Sequence, residues 1–218
     1  MPRKSAANAL DRAQKQPGTV DEPKAVAEDR RTQILRVSAQ LFAQRGYTAT
    51  TVRNIAEQTG LLSGSLYHHF DSKESILDEI LTEFVSDLLK QVKEVEAEGT
   101  DVKTAVAALI DVTVMALADH REAILLLQNE WGLIRDIPRF SHLVEDGDEI
   151  GRVWTRLIER GMRKGVFRND VPPGLIYRFA RDALWVAARW YEPGHAYTLD
   201  EIAKDYVKVV FEGILQPH

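Results

Sequence analysis

No cysteine occurs among the 218 residues. That excludes a disulfide framework, a thiolate metal site and a cysteine nucleophile, and it suits the reducing cytoplasm expected for the chain. No apolar run approaches the roughly 20 residues of a membrane-spanning helix. The opening stretch MPRKSAANALDRAQKQPG lacks the apolar segment of a signal peptide. Alternating strand patterns, internal repeats and heptad series are all missing. So are a Gly-rich phosphate loop, a His-Glu-x-x-His pair and a nucleophile elbow. Paired acids such as Asp148 and Glu149 read as solvated surface. No catalytic residue, resident metal or cofactor is therefore expected, and the chain reads as a non-enzyme.

Positive charge is also in short supply, with a net charge of −5. It is unevenly spread. Residues 1–72 hold ten Lys/Arg against seven Asp/Glu, a balance of +3; the other 18 and 26 leave −8 on residues 73–218. Local field rather than total charge draws phosphate, so a mildly basic N-terminal part on an acidic body is compatible with DNA binding.

What is present is helix. Residues 1–28 are polar and punctuated by Pro17, Gly18 and Pro23, and read as a disordered tail. Arg3, Lys4, Arg12 and Lys15 within it also allow a basic arm for a minor groove. After the tail, apolar spacing predicts helices over 29–45, 52–59 and 64–70. Further helices are predicted over 73–97, 101–118, 120–134, 138–164, 173–191 and 199–214. Gly46, Gly60, Gly99, Gly165 and the prolines at 138, 172, 173 and 193 mark the breaks. The fold class is all-α. A three-helix head over 29–72 is followed by a six-helix bundle over 73–218.

The segment TATTVRNIAEQTGLLSGSLYHHFDSKE, residues 48–74, carries the functional signal. Val52, Ile55 and Ala56 pack a first short helix, which Thr51 caps and Gly60 ends. Gly60-Leu61-Leu62 makes a tight turn, and Leu62 and Leu66 are expected to anchor the second helix. Ser63, Gly64 and Ser65 keep its start slim, so backbone can approach a duplex. Tyr67 and His68 then project along the groove side, and Phe70 turns inward. This is a helix-turn-helix pattern. His68 and His69 do not form a metal pair, because adjacent helical residues point about 100° apart.

Over residues 30–77 the chain resembles the TetR family of transcriptional repressors. The matching features are AQLFAQRGY at 39–47, then Thr51, Ile55, Ala56 and Gly60, then Gly64, Leu66, Tyr67, His69, Phe70, Lys73 and Leu77. Leu62 departs from the commoner Val or Ser. The resemblance implies that Thr51, Ser63, Ser65, Tyr67, His68 and Lys73 meet phosphates or base edges. Gly64 would allow close approach. Arg53 would read a guanine edge or sit on phosphate. It further implies a body that encloses an effector and dimerises through its last two helices, placing two heads on a palindromic operator. Small Ala180, Ala183 and Ala187 on one helix suit such an interface, as do Tyr206, Val209, Val210 and Gly213 on the other.

For the effector, Tyr177, Arg181 and Trp185 are four apart and share a helix face. A buried guanidinium suits a carboxylate, thioester or phosphate, unless Asp182, Glu130 or Asp136 neutralises it internally. Trp131, Phe140 and Trp154 are each ordinary core when taken alone, and together they furnish an apolar cavity. LLLQNEWGLIRD at 125–136 and RFARDALWVAARWY at 178–191 resemble the actinobacterial repressors of cholesterol C/D-ring breakdown. The effectors of those repressors are coenzyme A thioesters of steroid-derived acids. That resemblance implies Arg181 and Trp185 as effector contacts, with Arg152, Arg156 or Arg163 near the mouth. The expected function is a repressor released from DNA by such a ligand. The competing readings are a regulator of the same fold answering an unrelated hydrophobic compound, and a helical adaptor with no DNA role. Mutating Tyr67 and Lys73 separates the adaptor from the repressor.

Overall fold

The computed structural model describes residues 29–194 and 196–212, so the tail read over 1–28 and the interface residue Gly213 lie outside the described residues. Among the described residues there are eight α-helices, one 3-10 turn and no strand. The head comprises α1 (Arg30–Arg45), α2 (Val52–Thr59) and α3 (Ser63–Leu66). The body comprises α4 (Lys73–Ala97), α5 (Val102–Ile134), α6 (Ser141–Arg163), α7 (Pro173–Trp190) and α8 (Leu199–Glu212), with a 3-10 turn at Pro138–Phe140.

Local chemistry places these boundaries. Thr51 and Asn54 form a reciprocal capping box at the start of α2, and Ser72 with Ser75 does the same for α4. Asp101 caps α5 by accepting from the N–H groups of Lys103 and Thr104. Gly60 takes φ +70°, a left-handed turn that a side chain would strain, and so ends α2 sharply. The predicted break near residue 119 is real but milder than a loop. α5 runs through it with His120 alone off helical geometry, at φ −121° and ψ 19°. The body thus has five helices but six straight segments. α3 is shorter than the predicted 64–70: regular helix stops at Leu66, and Tyr67 to His69 continue as turns held by His69 N–H and Phe70 N–H on the Leu66 carbonyl.

One apolar core joins head and body. In the head, Ile34, Phe42, Ile55, Leu66 and Phe70 are buried. In the body, α5 packs on every other helix, and α4 lies against α5 and α6. Ile76, Leu77, Leu81 and Phe84 of α4 are fully buried together with Leu109, Ile110 and Ile124 of α5 and Phe140. α5 also touches α1, so two body helices rather than one support the head.

Candidate DNA-reading surface and effector chamber

The two short helices of the head present a polar outer face. Ser63, Gly64 and His68 are exposed, Tyr67 is more than half exposed, and Ser65 and His69 are half-buried. Leu66 alone anchors α3, at 0% exposure; Leu62 is 81% exposed and does not contribute. The reason is geometric. Leu62 occupies the cap position with extended backbone, φ −76° and ψ 143°, which turns its side chain off the buried face. Arg53 is also outward, with its guanidinium held along α2 by Glu57 at 2.8 Å.

Two expected phosphate contacts are partly committed elsewhere. The N–H and hydroxyl of Thr51 both donate to Asn54 Oδ1, at 3.0 and 2.8 Å, inside the capping box. Of the N–H groups in the first turn of α2, that of Asn54 is taken by Thr51 Oγ1 at 3.2 Å. Lys73 folds inward. Its Nζ donates to the carbonyls of Tyr47 and Thr50 at 2.9 and 2.8 Å and lies 4.2 Å from the centre of the Tyr47 ring. The expected phosphate ligand therefore fastens the α1–α2 loop to α4. Arg31 fastens α1 by pairing with Glu79 and lying over the Phe70 ring at 4.4 Å.

Between α4, α5, α6 and α7 is a chamber of about 530 Å³. Phe84, Leu88, Leu127, Trp131 and Leu143 give it apolar walls, and Tyr177, Arg181, Trp185 and Arg189 line it from α7. The volume is in the range of a small-molecule site. Arg181 lies 5.5 Å from the Tyr177 ring centre and 5.9 Å from that of Trp185. Burial opposes its charge, but Asp182, bonded to Nε and Nη2 at 2.9 and 2.7 Å, and the Tyr177 phenol together more than offset this. The internal partner foreseen for Arg181 is therefore Asp182. That carboxylate is itself well exposed, so the guanidinium can turn to another acceptor at little cost. Burial raises the Tyr177 phenol, keeping it a neutral donor.

Phe140 and Trp154 do not line the chamber. Phe140 is fully buried and Trp154 nearly so, packed behind the wall with the Trp154 ring 5.9 Å from that of Tyr177. The arginines expected at the mouth are committed as well. Arg156 makes two 2.8 Å bonds to Glu96, Arg152 bonds Glu149 at 2.6 Å, and Arg163 pairs with Glu159. Arg189, which was not among the expected effector contacts, also lines the chamber and bonds Asn129 at 2.9 Å. The four-residue series through 177, 181 and 185 reaches it on the next step, and that was the available signal.

α7 has a second, outward face. Leu175, Phe179 and Trp190 are exposed there, with Phe179 at 64% and Trp190 at 54%, and Val186 is exposed at its border with the chamber; Val209 and Val210 are exposed on α8. Large apolar side chains left in water at helical spacing mark an interaction surface. Ala183 lies in this exposed stripe. Ala180 and Ala187 do not: both are buried in the subunit's own core, and the Tyr206 hydroxyl donates to the Ala180 carbonyl at 3.0 Å. The small residues let α7 approach its own bundle, so its large residues are what face outward.

Comparison with known proteins fits this arrangement. Residues 34–80 match the family described as "Bacterial regulatory proteins, tetR family", and residues 99–214 match "Tetracyclin repressor-like, C-terminal domain". The chain is 44% identical over 189 residues to the HTH-type transcriptional repressor KstR2 of Rhodococcus jostii, covering 87% of this chain and 93% of that protein. It is 36% identical to KstR2 of Mycobacterium tuberculosis, over 85% of this chain and 92% of that one. The solved structure of the ketosteroid transcriptional regulator KstR2 of Mycobacterium tuberculosis superposes with a TM-score of 0.81 at 35% identity, covering 88% and 97% of the two chains.

Proposed function

The chain belongs to the tetR family of bacterial regulatory proteins, and from that premise we propose that it is a steroid-responsive repressor of the KstR2 kind. In this reading two subunits pair through the outward faces of α7 and α8. Their α3 segments then enter successive major grooves of a palindromic operator, about 34 Å apart. The head is divided from the body near residue 72, and the protein works beside DNA inside the cell. The effector is a coenzyme A thioester of a steroid-derived acid. Its acyl part enters the chamber, and Arg181, on the rings of Tyr177 and Trp185, meets the thioester carbonyl. Bound effector favours a spacing of the two heads that no longer fits the duplex. By linkage, operator-bound protein binds the effector less well.

The carrying observation is the half-buried Arg181, held over two aromatic rings in a chamber whose walls from α4 and α5 are largely apolar. An apolar ligand alone leaves Arg181 on the exposed Asp182, whereas an acyl thioester or carboxylate engages both the guanidinium and the apolar walls. The name of the solved relative, a ketosteroid regulator, supports the steroid class. The test selects an operator from random duplexes with wild-type protein and follows its release by fluorescence anisotropy. Coenzyme A thioesters of C/D-ring steroid acids are expected to release it; free coenzyme A and straight-chain acyl thioesters are not. Operator affinity unchanged by every steroid thioester would overturn the proposal.

A further inference from the structure

The chamber and the head are joined by one turn of α5, residues 127–131. Leu127 and Trp131 line the chamber. Between them, Gln128 crosses to α7, with its Nε2 donating to the carbonyl of Trp185 at 2.8 Å. Glu130 points elsewhere, because successive helical residues are rotated by about 100°. Its Oε1 accepts the backbone N–H of Tyr47 at 3.0 Å, across 83 residues of sequence. The carboxylate lies close against that loop: a Cβ built on Gly46 would sit 3.7 Å from the same oxygen.

The loop it holds is stiff and leads straight into the reading helices. Thr50 Oγ1 donates to the Gly46 carbonyl at 2.9 Å, and Lys73 holds the Tyr47 and Thr50 carbonyls from α4. The next residue, Thr51, caps α2. The α1–α2 loop is thus gripped from both sides, by the first residue of α4 and by the chamber-lining turn of α5. A shift of that turn displaces α2 and α3 relative to the body.

We infer that Glu130 is the positioning residue through which occupancy of the chamber reaches the DNA-reading head, an inference that rests on the effector-released reading above. An acyl group entering beside Leu127 and Trp131 pushes their turn of α5 outward. Helix displacements of about 1–2 Å are typical of such transitions. A displacement of about 1 Å is enough to carry a bond of this length beyond useful hydrogen-bonding distance. The N–H of Tyr47 is then released, and the α1–α2 loop keeps its hold from Lys73 of α4 without its tie to α5. In the other direction, a head seated on DNA keeps the loop, and with it the chamber turn, in the ligand-free arrangement, as reciprocity demands.

The test uses the full-length dimer, the selected operator and the coenzyme A thioester of a C/D-ring steroid acid. Saturating thioester is expected to weaken operator binding by wild type about tenfold or more, within the usual range of allosteric coupling. Glu130→Ala should still bind the thioester with near wild-type affinity, yet release the operator by less than about threefold, because coupling rather than binding is lost. Glu130→Gln keeps an acceptor oxygen and should restore most of the response. Amide exchange on the unmodified chain gives an independent readout: Tyr47 should exchange faster with thioester bound. Undiminished release of Glu130→Ala, or a Tyr47 amide equally protected in both states, would overturn the inference while leaving the effector reading intact. Wild-type protein that never lets go of its operator in the presence of thioester would instead bring down the effector reading, and this relay with it.

Discussion

Phe179 is the side chain on which pairing of two subunits is expected to depend most. It stands in the outward stripe of α7 at 64% exposure, so the isolated subunit has little use for it. Fully burying a phenylalanine is worth about 1.5–3 kcal/mol. About two-thirds of that remains to be gained here, and a two-fold axis counts it twice, giving about 2–4 kcal/mol, or roughly 30- to 10³-fold in the dimer Kd. Phe179→Asp should reach at least this loss, since it also sets two carboxylates into the same interface. Sedimentation equilibrium at micromolar concentration should then find folded monomers with unchanged helical circular dichroism, melting lower only by the stabilisation that pairing gave the wild type. Operator binding should fail in parallel. The neighbour Ala180 gives the opposite pattern. It is buried, and its carbonyl accepts from Tyr206, so Ala180→Asp should lower the melting temperature of the subunit itself. A Phe179→Asp protein that dimerises with wild-type Kd, or one that unfolds, would refute the assignment of this face.

Other consequences are as direct. Arg181→Met should leave melting nearly unchanged, because the partner lost is the exposed Asp182, yet weaken thioester binding about 10- to 100-fold by isothermal titration, the worth of one charge-assisted bond. Leu66→Ala should cost about 2–5 kcal/mol of stability in urea denaturation, whereas Leu62→Ala should cost almost nothing, since only Leu66 is buried. Acid should expose the tie between α4 and α6. The bond from Arg156 holds the Glu96 carboxyl below its ordinary value of 4.5, against the opposing effect of burial. That stabilisation is fully present above 4.5 and is lost as pH falls through the depressed value. Wild type should therefore lose stability below pH 4.5 more steeply than Glu96→Gln, and parallel acid melting curves would contradict this.

Much of the fold was legible because its signals are local. Thr51, Gly60 and Ser72 act on the backbone within three or four residues, so the starts of α2 and α4 and the end of α2 follow from side-chain chemistry alone. Apolar spacing located the helices of the body for the same reason. The site was legible only in part. The face shared by Tyr177, Arg181 and Trp185 is a property of one helix, and it does line the chamber together with Trp131. Phe140 and Trp154 were indistinguishable from lining residues by composition, since a wall and the layer behind it use the same side chains.

The orientation of each helix about its axis, and the use of long charged side chains, were decided only in three dimensions. Ala180 and Ala187 could have met a partner or the subunit's own core; packing against the core buried them and left Phe179 and Trp190 outside. Lys73 could have reached a phosphate, but two loop carbonyls lay closer. Glu130 bears no motif, and its tie to Tyr47 spans 83 residues. Helix content, caps and the identity of the reading head come from interactions between near neighbours, which the order of residues specifies by itself. Interfaces, the chamber wall and the route between them come from contacts between distant segments, which exist only once the chain has closed on itself.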